Sequence, residues 1–189
     1  VAHTAADYDQ TRAAFETGAS HAVHLYNGMT GATHRAPGVV GAVWDTPDVT
    51  AELICDGIHI HPAILRATFR LLGRRVVMIS DSLEAAGMPD GARFLDAGGH
   101  EVMVTNGKAT LADGTIAGSS TNLMECVRRV IGFGVELETA FYAASLAPAK
   151  VIGCEKLVGS LEPGKRADVV VLDGSLQPAG VFIKGKRLV

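Results

Sequence analysis

Two patterns of apolar and polar positions divide this chain, and the change comes near residue 91. Before it, short apolar runs alternate with segments whose apolar positions recur at helical spacing. "VTAELICDG" and "RRVVMISDS" are nearly continuous apolar runs ending in an acid, and "HAVHLYN" is a shorter candidate of the same kind. Continuous rather than alternating hydrophobicity predicts strands buried on both faces, as in a parallel sheet. Between the strands the pattern predicts helices. Asp7 is placed to cap one with apolar positions Tyr8, Ala13, Ala14 and Phe15, and Gly18 stands where it should stop. Pro62 suits the first helical position of a second, "AILRATFRLLG", which ends at Gly73. Strands spaced by such helices argue for βα units.

Beyond residue 91 the punctuation is different. In "RFLDAGGHEVMVTNGKATLADGTIAG" the pairs Asn106-Gly107 and Asp113-Gly114 separate short strand candidates, the signal for hairpins. Helical spacing returns over residues 121–133, where Ser119 or Ser120 is the expected cap, and over residues 137–152. The tail returns to strand and turn, with "ADVVVLD" apolar and "VFIKGKRLV" pairing across a glycine turn. No internal repeat or low-complexity linker interrupts the chain.

Composition narrows the picture. A chain of 189 residues with 48% hydrophobic positions can bury a sizeable core. A net charge of -3 and 5% aromatics give no electrostatic or stacking reason to expect nucleic acid or an anionic membrane. No apolar run approaches the roughly 20 residues that span a bilayer. Cys55, Cys126 and Cys154 are odd in number and widely spaced, which fits reduced thiols and a cytoplasmic location better than a disulfide framework. The chain opens without Met, and His3 precedes any element, so it reads as a piece of a longer protein.

The chemistry gathers after the apolar runs. "CDGIHIHP", residues 55–62, places an acid and two histidines behind a strand candidate. In parallel α/β folds the loops at the carboxyl ends of strands converge, so functional groups collect there. His24 with Asn27, Asp56 with His59, and Asp81 all fall at such ends, and His3 would lie at the end of a preceding strand. Neutral imidazoles near a carboxylate are common ligands of a catalytic divalent metal. That assigns His3 and His24 as metal ligands and suits Asp81 to general-base work. Alone, Asp81 would be an ordinary cap for the next helix. His21 and His34 read as hydrogen-bonded structural residues, and His100 as a hairpin surface residue. In "CDGIHIHP" the glycine turns the backbone, His59 is aimed into the site, and His61 faces the helix that Pro62 opens.

The segments "AHTAA", "AVHLYNGMTGATHRAPG", "CDGIHIHP", "VVMISDSLEAAG", "DGTIAGSS" and "GSLEPGKRADVVVLD", in that order, resemble the N-acetylglucosamine-6-phosphate deacetylases of the amidohydrolase superfamily. "HLYNGM" with "DGIHIHP" carries the specific part, while the tail motif is common to the superfamily. The resemblance implies an α/β fold. Residues 1–153 would be the second half of a (β/α)8 TIM-like barrel, with a hairpin insert at about 99–118, and residues 154–189 the C-terminal strands of a small β-sandwich. It implies that His3 and His24 bind a divalent metal, zinc or iron, and that Asp81 is catalytic. Asn27 and Gly28 would contact the substrate, Arg35 its phosphate, and Asp56, Gly57, Ile58 and His59 the sugar phosphate; Ile116, Ala117 and Gly118 would form a loop over the sugar. The third metal ligand, a glutamate, and a carbonyl-polarising histidine would lie upstream of Val1. The implied activity is hydrolysis of N-acetylglucosamine 6-phosphate to glucosamine 6-phosphate and acetate by a homodimeric full-length enzyme, the piece alone being inactive. Two alternatives stay open. One is another amidohydrolase, dihydroorotase-like or acting on N-acyl amino acids. The other is a non-catalytic piece whose open sheet needs covering by another chain or a missing segment.

Overall fold

In a computed structural model that describes residues 1–189, His21–Ala22 (β1), Thr50–Ile54 (β2) and Val76–Ile79 (β3) form a parallel sheet in the order β1-β2-β3. Extended segments prolong it at both sides. The Val23 N–H donates to the Val1 carbonyl at 2.9 Å and Thr4 bridges Met29, while beyond β3 Ser82 bridges Ser119. All these pairings run parallel, so the segments that follow the strands emerge along one edge.

Helices cover the sheet. Tyr8–Glu16 (α1) starts with the expected Asp7 cap, completed as a capping box by Gln10. Gly38–Asp45 (α2) was not expected. Its buried positions run unbroken from Gly38 to Val43, so no amphipathic period marks it, and Pro37 before it supplies no side-chain cap. Pro62–Leu72 (α3) buries Leu65, Thr68, Phe69 and Leu72, a stripe at i, i+3, i+4 and i+7. His61 does face this helix, accepting the Ala63 N–H as its N-cap. Leu25, Val39, Val43, Leu53, Leu65, Val76, Met78 and Val130 meet in the principal core. Each such side chain contributes about 1.5–3 kcal/mol through burial.

Three sequence expectations change here. "HAVHLYN" yields only the two residues of β1, because His24 (φ 29°) and Tyr26 (φ 82°) turn the chain out of the extended region. Leu123–Gly132 (α4) is capped by Asn122, whose side chain accepts the Glu125 N–H, rather than by Ser119 or Ser120. The 137–152 helix is two, Leu137–Ala144 (α5) and Leu146–Val151 (α6), broken at Ser145. Pro148 explains the break, since its ring would strike the Ala144 carbonyl in a continuous helix.

Residues 93–118 form a separate antiparallel sheet: Arg93–Leu95 (β4), Glu101–Thr105 (β5), Lys108–Thr110 (β6) and Ile116–Gly118 (β7). It starts at β4, earlier than a hairpin over about 99–118. Asn106 and Gly107 both take positive φ in the β5–β6 turn, as their identities suggest. Val102, Val104 and Ala109 pack on Ala85 as a small second core. Val169–Leu172 (β8), Pro178–Ile183 (β9) and Lys186–Arg187 (β10) make a third sheet, in the order β10-β9-β8. The Arg128 guanidinium ties α4 to the β8–β9 turn through the Leu176 carbonyl at 3.1 Å. No helix is long and apolar enough to cross a membrane.

Candidate functional site

His24 follows β1 and faces His3 from the neighbouring extended segment; their rings lie 4.6 Å apart, edge to face at 85°. Both residues have positive φ, 39° for His3 and 29° for His24, a region that costs a side-chain-bearing residue energy unless its surroundings impose it. Gly28 makes the room: a Cβ there would stand 2.9 Å from His3 Nδ1. His24 Nδ1 is buried with no hydrogen-bond partner. Asn27 closes the turn by donating from Nδ2 to the His24 and Leu25 carbonyls, each at 3.3 Å. Its amide oxygen is left unengaged.

After β2 the loop is organised around Asp56. One carboxylate oxygen accepts the Ile58 and His59 N–H groups at 2.8 and 2.9 Å, and the other meets His59 Nδ1 at 2.7 Å and the Ser119 hydroxyl at 3.4 Å. The Arg129 guanidinium donates to the Asp56 carbonyl at 2.8 Å. Burial pushes the Asp56 carboxyl up, but the bonds from the His59 ring and the two N–H groups outweigh it and hold it below the usual carboxylate range. Asp56 is therefore engaged on both oxygens, and its bond to His59 leaves that imidazole's Nε2 as the free atom. Gly57 (φ 70°) packs on the Phe133 ring, where a Cβ would come within 2.6 Å of Cζ. Burial also pushes the thiols of Cys55 and Cys126 up, Cys126 to about 12, which favours the neutral thiol over the nucleophilic thiolate.

After β3, Asp81 stands at φ 50° with its carbonyl accepting the Ser119 N–H at 3.1 Å. Its carboxylate is exposed and has no partner in the chain. Arg35 is exposed and makes no ion pair, in a turn closed between Thr33 and Ala36; Tyr8, not Arg35, bonds Asp45. Ile116, Ala117 and Gly118 form strand β7 rather than a loop. A register shift pairs Ala109 with Gly118 and Thr110 with Ile116, and Gly118 lies so close to Leu83 that a Cβ would meet its Cγ at 2.5 Å.

The remaining histidines sort themselves by partners. His21 Nδ1 meets Thr50 Oγ1 at 2.7 Å and its Nε2 meets Glu52 Oε1 at 3.1 Å; His100 is paired with Asp96, and His34 is exposed. Sequence reading passed over Glu52. The hydrogen bond from His21, with lesser help from the His24 N–H, holds its carboxyl below the usual range despite partial burial. The available signal was an acid inside an otherwise apolar strand. An apolar cavity of about 660 Å³ between α4–α6 and β8 contains none of these groups. No cluster of three or more metal-ligating side chains occurs in this chain. The orphaned His24 Nδ1 beside the His3 ring fits two positions of a divalent centre, whose remaining ligands would have to come from outside this chain.

The Amidohydrolase family profile matches residues 1–188. The chain belongs to the amidohydrolase family. Members of this family are generally metal-dependent. The amidohydrolase chain is 44% identical over 187 residues to an Escherichia coli O157:H7 protein named N-acetylgalactosamine-6-phosphate deacetylase, covering 98% of this chain and 49% of that relative. It is 38% identical over 187 residues to a Vibrio furnissii N-acetylglucosamine-6-phosphate deacetylase, covering 98% and 46%. A Pasteurella multocida N-acetylglucosamine-6-phosphate deacetylase superposes with a TM-score of 0.92 at 32% identity, over 99% of this chain and 49% of that one. A Mycobacterium smegmatis N-acetyl-D-glucosamine-6-phosphate deacetylase variant, solved with N-acetyl-D-glucosamine-6-phosphate, gives 0.91 at 36% identity over 99% and 50%. The chain thus spans about half the length of these relatives.

Proposed function

We propose that this chain is the second half of a metal-dependent deacetylase that removes acetate from N-acetylglucosamine 6-phosphate. Residues 1–153 then supply half of a (β/α)8 barrel carrying the insert β4–β7, and residues 154–189 supply strands of a small β-sandwich. The observation that carries this reading is the edge-on His3–His24 pair, with its orphaned Nδ1, on the same sheet edge as the unpartnered Asp81 carboxylate. His3 and His24 would hold the divalent ion, zinc or iron, with a third ligand from the rest of the enzyme. When bound, such an ion polarises the amide carbonyl and lowers the pKa of water toward about 7.

The other steps belong to this chain. Asp81 takes a proton from the attacking water and returns it to the departing nitrogen, since an amine anion is too poor a leaving group to depart unprotonated. The free amide oxygen of Asn27 and the backbone at Gly28 orient the sugar. His59, fixed by Asp56, offers Nε2 to the sugar phosphate, and β7 borders the sugar through Ile116, Ala117 and Gly118. Arg35 gives the phosphate a planar, two-pronged donor that Lys cannot copy. Its exposed turn fits a phosphate contact made within a homodimer. The three free cysteines support a cytoplasmic enzyme.

One observation favours a second substrate, the 4-epimer: the relative at 44% identity is named for N-acetylgalactosamine 6-phosphate. The test is hydrolysis of both 6-phosphates and of unphosphorylated N-acetylglucosamine by the complete enzyme and by Arg35→Ala. We expect KM for the preferred 6-phosphate to rise about 10–100-fold in the variant, the worth of lost charge-assisted bonds, with little change on the unphosphorylated sugar. Equal losses on phosphorylated and unphosphorylated sugars would assign Arg35 a structural role, and no hydrolysis of either 6-phosphate would end the reading.

A further inference from the structure

β1 and β2 carry a hydrogen-bonded histidine–glutamate pair on one face that the site described so far does not use. The register sets His21 opposite Thr50, and Glu52 is two residues further along that same face. His21 bonds both, at 2.7 Å to the Thr50 hydroxyl and 3.1 Å to Glu52 Oε1, so the imidazole pins the carboxylate in place. The second carboxylate oxygen, Oε2, accepts the backbone N–H of His24 at 3.2 Å. The next N–H along, that of Leu25, donates to the Glu52 main-chain carbonyl at 2.8 Å. A single residue of β2 therefore receives two consecutive N–H groups of the turn that leaves β1, one on its side chain and one on its main chain.

His24 needs that support. Its φ of 29° is disfavoured for a residue with a side chain, and its buried Nδ1 has no partner in the chain. A strained backbone persists only where surrounding bonds over-determine it. Without the carboxylate, the His24 N–H would be left unsatisfied and the residue free to relax toward ordinary φ, swinging the imidazole away from His3.

We propose that Glu52, anchored by His21, is a positioning residue that fixes the backbone of His24 and thereby aims its imidazole at the metal. This rests on His24 being a metal ligand, as argued above. The carboxylate acts through a hydrogen bond to the main chain, so what it must keep is an acceptor oxygen in place rather than a negative charge.

The experiment is Zn2+ affinity, measured by competition with a chromophoric chelator in the complete enzyme, for wild type, Glu52→Gln, Glu52→Leu, His21→Leu and His24→Ala. Folding of each is checked by circular dichroism. Glu52→Leu should raise the Zn2+ Kd about 10–100-fold, the usual cost of losing an outer partner of a metal ligand. Glu52→Gln, which retains an acceptor oxygen, should stay below the roughly 10-fold lower end of that range. His21→Leu should fall between them, and it carries the test if Glu52→Leu does not fold. The inference is overturned if the folded leucine variants bind Zn2+ as wild type does, or if Gln is as damaging as Leu. His24→Ala separates the two levels. Zn2+ affinity unchanged in that variant removes the metal reading itself, whereas affinity lost there but kept in the Glu52 and His21 variants removes only the positioning role.

Discussion

The ends of β2 and β3 each deliver an aspartate to the same edge of one sheet, and the two acids are in opposite states. Asp56 is buried and accepts from its own loop and from Ser119 on both oxygens. Asp81 is exposed, bonded to nothing through its side chain, and held at a φ of 50°. Equivalent topological positions and identical side chains thus produce one acid bonded on both oxygens and one whose carboxylate is free. Hydrogen-bond accounting separates them, because a carboxylate already saturated with N–H donors has little left for a substrate or a water. The histidines divide the same way. His61 caps a helix and His21 is bonded on both nitrogens, while His24 keeps a buried nitrogen unused.

The widest gap should appear in turnover. Asp81→Asn in the complete enzyme should keep fold and metal content but lower kcat by about 10²–10⁴-fold, the worth of a positioned base. Asp56→Asn should instead lower the unfolding free energy by about 1.5–3 kcal/mol, the range for bonds to a charged group. An active Asp81→Asn enzyme, measured by acetate release, would erase the distinction between the two strand ends.

A second contrast sets the Asp56 loop against a hairpin turn, and its scale is stability. Gly57→Ala combines positive φ with a Cβ 2.6 Å from Phe133 Cζ, so urea unfolding should show a loss of about 2–4 kcal/mol from strain plus overpacking. Gly107→Ala also has positive φ but meets nothing within 4 Å, and should lose only about 1 kcal/mol. Equal losses would mean that the Phe133 contact yields without cost.

The smallest effect is in acid. The Asp56 carboxyl is held below its usual range when folded, so its contribution is fully present above the unfolded value and lost as pH falls through the folded one. Stability should therefore decline from about pH 4 downward. Asp56→Asn should flatten part of that decline. An unchanged acid limb, followed by thermal melts, would show that the Asp56 bonds contribute equally to the protonated form.

Much of this molecule was legible in the sequence because its signals are local. The Asp7 cap, Pro62 at a first helical position, the Asn106-Gly107 turn and the apolar runs of β2 and β3 each depend on neighbours a few residues away. α2 was not legible, since a helix buried from Gly38 to Val43 shows no period. The length of β1 was not either, because the positive φ of His24 and Tyr26 ends the strand in a turn whose partners lie on other elements, the Glu52 carboxylate for the His24 N–H and the Thr68 hydroxyl for the Tyr26 hydroxyl. Sequence alone determined which residue types reach the strand ends and in what order. Only the tertiary structure decided which of them remain free to act, since a side chain's availability depends on what the rest of the fold has already bonded to it.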